Sequence, residues 1–126
     1  MKLIIAGGRD LYIDGKFLDA LLDQFNCFPG EIVSGGATGI DACAKAFCRY
    51  EFEFHKHYKI PYKEFSADWD KFGRAAGPIR NKLMAEYADA LLIIWNNESK
   101  GSKSMINEML KLKKPVYEVI LRSHNL

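Results

Sequence analysis

Short apolar runs alternate along the chain with segments of helical periodicity, and that alternation leaves few folds open. Leu3-Ile4-Ile5-Ala6, Ile32-Val33 and Ala90-Leu91-Leu92-Ile93-Ile94-Trp95 are continuous apolar runs, the pattern of strands buried on both faces. Tyr62-Lys63-Glu64-Phe65 and Val116-Tyr117-Glu118-Val119-Ile120-Leu121 complete the set. Between them, Phe17, Leu18, Leu21, Leu22 and Phe25 recur at helical spacing, with Asp14 placed as a cap and Pro29-Gly30 as the stop. Ile40, Cys43, Ala44, Phe47 and Cys48 form a second stripe. Ile79, Leu83, Met84, Tyr87 and Ala88 form a third, with Pro78 in its first turn. Met105, Ile106, Met109, Leu110 and Leu112 form a fourth. No turn residue follows Phe47, so the second helix is expected to continue through residues 51–58. Asp68 to Gly73 is expected to be a loop or a single turn.

Strands alternating with helices imply parallel pairing through right-handed crossovers. The expectation is one α/β domain over residues 1–126: three layers, with a mostly parallel five-stranded sheet in the order 3-2-1-4-5 and helices on both faces. A chain of 126 residues, 48% hydrophobic, can enclose one such core. Its formal net charge of +2 gives no bulk electrostatic reason to bind nucleic acid, which is not expected as a partner. No apolar run reaches the roughly 18 residues of a membrane span, so a cytoplasmic protein is expected. Cys27, Cys43 and Cys48 lack metal spacing, and His55 and His57 fall on different helix faces, so no metal site is expected. The apolar second helix offers a surface for a homo-oligomer.

In a sheet of this order, ligands bind beyond the carboxyl ends of the strands where the order reverses. The small and polar residues fall there. Ser34-Gly35-Gly36-Ala37-Thr38-Gly39-Ile40-Asp41 joins the second strand to its helix, and Gly7-Gly8-Arg9-Asp10 follows the first strand. Glycine permits positive φ and close approach, and a helix N-terminus adds unpaired N–H groups and partial positive charge. Together they are suited to hold a phosphate or another anion. The pattern is neither Walker A nor GxGxxG, and no Lys follows the last glycine, which argues against ordinary ATP hydrolysis. Arg9 has the geometry for a bidentate phosphate contact, and Asp10 for accepting from a ribose hydroxyl. Arg80 and Asn81 are placed in the first turn of the third helix, where a guanidinium is electrostatically out of place unless it serves an anion. Trp69 offers a face for a base. Gly101-Ser102 opens the last helix as a third donor site. Lys111, Lys113 and Lys114 fit the negative end of that helix.

Taken in order, these segments, together with Ala67-Asp68-Trp69 and Ala76-Gly77-Pro78-Ile79-Arg80-Asn81, resemble the YspA-like branch of the SLOG superfamily. That superfamily joins the DNA-processing protein DprA to the LOG cytokinin-activating enzymes. The resemblance implies a Rossmann-like fold that binds a nucleotide or nucleotide-derived ligand, with no certain cofactor. The ligand-binding residues it implies are Gly7, Gly8, Arg9, Asp10, Ser34, Gly35, Gly36, Thr38, Gly39, Asp41, Arg80, Asn81, Gly101 and Ser102. The alternative it implies is a phosphoribohydrolase that cleaves nucleoside 5′-monophosphates. Arg80 and Met84 match the LOG pattern, but Met105 stands where that family has Glu, and Glu108 lies a turn further on. Glycosidic cleavage requires carboxylate help near the sugar, so in this reading Arg80 holds the phosphate and Glu108 or Asp41 serves the sugar, with Arg80 and Glu108 the candidates for catalysis.

Overall fold

The computed structural model describes residues 1–50 and 59–121. Along it run β1 (Lys2–Gly7), α1 (Gly15–Gln24), β2 (Glu31–Ser34), α2 (Ile40–Tyr50), β3 (Tyr62–Glu64), α3 (Trp69–Phe72), a 3-10 turn (Gly73–Ala75), α4 (Ala76–Tyr87), β4 (Ala90–Trp95), α5 (Lys100–Lys111) and β5 (Val116–Ile120). Every strand pair is parallel, and the order is β3-β2-β1-β4-β5. Ile4 lies opposite both Val33 and Leu91, which fixes the register at the centre of the sheet. The strand order reverses between β1 and β4.

Side chains of a strand alternate between faces. Leu3, Ile5, Leu92 and Ile94 therefore enter one core with Leu18 of α1 and Ile40 and Phe47 of α2. Ile4, Val33, Leu91 and Ile93 enter the other with Met84 of α4 and Met105 and Met109 of α5. These are the two outer layers expected from the sequence. At about 1.5–3 kcal/mol for each fully buried aliphatic side chain, the paired faces of β1 and β4 dominate the fold.

The helix ends differ from the expectation. Asp14 does cap α1, accepting from the Phe17 N–H at 2.8 Å. The helix ends at Gln24 and closes through Asn26, ahead of Pro29-Gly30. Asn26 takes φ 55°, its N–H reaches the Asp23 carbonyl, and the Cys27 N–H reaches that of Leu22. This is a Schellman closure, which satisfies the last carbonyls and needs a residue tolerant of left-handed backbone. α5 ends the same way on Lys113, at φ 57°. Lys114 then leaves its own helix and caps α4, donating to the carbonyls of Ala85, Glu86 and Ala88. α4 itself begins at Ala76, so Arg80 lies one turn inside it and not in its first turn. Leu83, Leu110 and Leu112 are exposed despite their helical spacing. Phe47 is buried in the core, so that residue of the apolar second helix offers no surface to a second copy. The expected continuation through 51–58 lies outside the described residues, as do His55 and His57. No helix among the described residues is long and apolar enough to cross a membrane.

Candidate functional site

The loops after β1 and β2 are stitched together before either can hold anything. The Gly8 N–H donates to the Ile94 carbonyl at 3.0 Å, tying the first loop to β4. The Gly8 carbonyl accepts from the Ile40 N–H at 3.2 Å, and the Arg9 carbonyl accepts from Thr38 Oγ1 at 3.3 Å. Gly39, at φ +71°, packs directly on Gly8 and the Arg9 backbone, so any side chain there would strike another main chain.

Inside the second loop two of the amides are already in use. The Gly36 N–H donates to Ser34 Oγ at 3.3 Å, and the Ala37 N–H donates to Asp41 Oδ2 at 3.1 Å. Ser34 Oγ also lies 3.1 Å from the Tyr62 hydroxyl and 3.4 Å from the Asp41 carbonyl oxygen. Asp41 is buried in the first turn of α2. Burial pushes its carboxyl up from the ordinary range, against the Ala37 N–H and the positive charges of Arg80 and Arg9. An internal carboxylate thus sits where a loop of this type presents N–H groups to an outside anion.

Arg80 reaches across from α4. Its Nη1 donates to the Gly35 carbonyl at 2.6 Å and to the Phe65 carbonyl at 3.4 Å, and its Nε donates to Asn81 Oδ1 at 2.9 Å. Burial draws its pKa down, Asp41 opposes that, and Arg9 adds to it. Two like charges held close together in a half-buried site favour an anion between them.

They border two compartments that share a wall of Arg9, Ala37 and Arg80. The outer one is about 370 Å³ and lies over the loops after β2 and β3, with Gly35, Gly36, Thr38, Ser66 and Ala67 on its lining. Trp69, 52% exposed, stands on its rim. The inner one is about 50 Å³ and lies between β1, α4 and the start of α5, lined among others by Gly7, Asp41, Asn81, Gly101 and Ser102. Behind the outer compartment, Glu64 accepts from the hydroxyls of Tyr62 and Ser66 and pairs with Lys45 at 3.6 Å.

Most residues expected at the site converge on these compartments. Gly8, Ser34 and Gly39 lie behind the lining and hold the loops in shape. Asp10 is exposed and lines neither compartment. Glu108 also stands away, paired with Lys111 at 3.1 Å on α5. Asn81 is not free, because its Nδ2 donates to the Gly101 carbonyl and to Ser104 Oγ, both at 3.3 Å. Ser66 and Ser99 are additions that the sequence reading missed. Ser66 lies in the loop after β3, one residue beyond Phe65, where the rule for carboxyl ends applies as it does after β1 and β2. Ser99 is the N-cap of α5 and accepts from the Ser102 N–H at 3.2 Å. Among the described residues, no group of three or more His, Cys, Asp or Glu is placed to hold a metal ion.

A doubly wound parallel α/β domain with a cationic cleft at the carboxyl ends of its strands is therefore the class that fold and site define, with the small inner compartment at the β1–β4 reversal and the larger outer one beside it over β2 and β3. No protein-family model matches the sequence, and no curated protein matches it. A solved structure of DNA processing protein A from Helicobacter pylori, described for its single-stranded DNA binding mode, is similar, with a TM-score of 0.62 at 23% identity. The likeness covers 97% of this chain and 66% of that one, so this chain spans just under two thirds of that protein's length. The fold is thus the Rossmann-type fold of DprA. This corrects one expectation. Nucleic acid was set aside on net charge, yet a protein with this fold is described as binding single-stranded DNA. A whole-chain charge of +2 does not describe a cleft where two guanidiniums meet one carboxylate.

Proposed function

We propose that this chain binds a phosphorylated nucleotide, either free or as a unit of single-stranded nucleic acid, in the cleft between the loops after β1, β2 and β3. The observation that carries the reading is the shared wall of Arg9 and Arg80 beneath an outer compartment of about 370 Å³ with Trp69 on its rim. The guanidiniums suit a phosphate, and the indole suits a base, the combination used for single strands and nucleotides alike. The structural likeness to a protein with a single-stranded DNA binding mode supports the same reading. Membership of the YspA-like branch of SLOG is the narrower form of this proposal and rests on the resemblance of the loop segments.

The phosphoribohydrolase alternative has less behind it. Glu108 is held by Lys111 away from the cleft, and Asp41 is the one carboxylate lining either compartment among the described residues. Thermal-shift measurements with AMP, ADP-ribose, NAD and a 5′-phosphorylated oligodeoxynucleotide test the binding reading. A ligand at 100 times its Kd adds about 2.7 kcal/mol of stability. Arg9→Ala is expected to weaken that ligand at least about tenfold, or 1.4 kcal/mol, while leaving the free protein's melting temperature unchanged. No shift with any of the four probes would sink the proposal. Release of free base from AMP would favour the hydrolase instead.

A further inference from the structure

Among the described residues, Ser102 is the buried polar side chain left unsatisfied. The residue is 4% exposed, and its Oγ has no hydrogen-bond partner. It sits in the first turn of the twelve-residue α5 and lines the inner compartment. A buried hydroxyl without a partner is unfavourable, and native proteins supply one from water or ligand. At about 50 Å³ the compartment has room, since one water needs only about 10–15 Å³ of such space.

The neighbouring groups decide what kind of atom belongs there. Asn81 is committed on both sides, to Arg80 and to Gly101 and Ser104. Ser99 Oγ already accepts the Ser102 N–H. Met84, Met105 and Ala6 make an apolar floor. Asp41 brings acceptor oxygens and negative charge. A phosphate pushed inward would meet that carboxylate, whereas a neutral hydroxyl can donate to one oxygen and accept from another. The charged part of a ligand is therefore held at the Arg9 and Arg80 wall, and a neutral donor is admitted behind it.

We propose that the inner compartment receives a sugar hydroxyl of the bound nucleotide, with Ser102 Oγ as its partner, so that Ser102 sets a preference for ribose over deoxyribose. This rests on the reading of the Arg9 and Arg80 wall as the phosphate site. A site built around a hydrogen bond to a hydroxyl discriminates against the analogue that lacks it, because its own polar group is then left unpaired. Water can refill this compartment, so the expected discrimination is modest, about tenfold.

Calorimetric titration of the full chain with AMP, 2′-deoxy-AMP and 3′-deoxy-AMP is the test. AMP should bind about tenfold more tightly than at least one deoxy analogue. Ser102→Ala should bring all three within about twofold of each other by weakening AMP alone. A purely structural serine would change all three affinities together or none. Equal affinities for all three probes in the wild-type protein overturn the hydroxyl assignment and leave the phosphate site standing. Discrimination that persists in Ser102→Ala overturns the role of Ser102. Absence of binding by all three overturns the hydroxyl assignment, and the phosphate reading falls with it only if ADP-ribose, NAD and the oligodeoxynucleotide also fail to bind.

Discussion

Gly39→Ala isolates the contact on which the cleft depends, the seating of the β2–α2 loop on the β1–α1 loop. Two costs are built into that position. Its φ of +71° places an alanine in left-handed backbone, at about 1–2 kcal/mol. The new Cβ would also fall against the Gly8 carbonyl and the Arg9 main chain, neither of which can rotate aside as a side chain would. Overpacking of that kind adds about 1–3 kcal/mol, for a total of roughly 2–5 kcal/mol. With a urea slope of about 1–3 kcal/mol per molar, the unfolding midpoint should fall by about 0.7 M or more. Gly101→Ala is the matched control. It has ordinary helical backbone, and the nearest atom to a new Cβ is Ser99 Oγ at 3.9 Å. It should stabilise the protein by about 0.5–1 kcal/mol through the loss of unfolded-state freedom. Equilibrium urea denaturation followed by tryptophan fluorescence and circular dichroism reads both. A Gly39→Ala protein within about 0.5 kcal/mol of wild type would refute the contact between the loops and, with it, the geometry that brings Arg9 to the cleft.

Gly36→Ala meets a different obstacle, the Glu64 carboxylate carbon at 2.7 Å, which is the end of a flexible side chain. Its cost should therefore be smaller in a Glu64→Ala background, and a double-mutant cycle in urea should give a coupling of about 0.5–1 kcal/mol. Lys113→Gly should stabilise the C-terminus of α5 by about 1 kcal/mol, because Lys113 holds left-handed backbone that glycine adopts freely, and a thermal melt should show the gain. Lys114→Met removes an ammonium shared by the carbonyls of Ala85 and Ala88, each at 2.7 Å, and should cost about 1–2 kcal/mol in the same assay. Burial works to raise the Glu64 carboxyl, but Tyr62, Ser66 and Lys45 together hold it below its ordinary value of 4.5. Its contribution is therefore present above about pH 4.5 and lost as pH falls through the lower folded value, so wild type and Glu64→Gln should converge in stability on acidification.

The strand pattern was legible because a doubly wound sheet requires what the apolar runs display. Strands buried on both faces must be continuously apolar, and Leu3 to Ala6 and Ala90 to Trp95 are. The helix stops were less legible, because a Schellman closure depends on one residue accepting positive φ. Asn26 offers a weak sequence signal for that, and Lys113 offers none. Lys114 belongs by position to the end of α5, and only tertiary packing assigns it to α4. At the site, the chemistry of Arg80 was visible from residue type, but its distance from the helix start was not, because Ala76 and Gly77 join the helix ahead of Pro78. Asp10 and Arg9 are neighbours in sequence, yet one lines the cleft and the other does not. No periodicity or composition distinguishes them.

Glycines before a helix indicate N–H groups that must find acceptors, but not whose acceptors they find. Here the chain supplies several of its own. Ser34 takes the Gly36 N–H, Asp41 takes that of Ala37, and Gly8 takes that of Ile40. Because Asp41 is buried at the same point, it draws Arg80 over the loop and prepays part of that guanidinium's desolvation. The attraction available to an outside anion is then carried by guanidiniums rather than by amides. Arg9 is exposed and Arg80 is tethered through Nη1 and Nε, so one arm of the pair is open to solvent and the other is fixed within the fold. Recognition by such a pair weakens with salt at the exposed arm and much less at the buried one. Raising ionic strength should accordingly diminish the difference between wild type and Arg9→Ala in AMP affinity, while the loss in an Arg80→Gln protein should persist. Equal salt sensitivity of the two losses would mean that Arg80 does not hold the anion from within the fold.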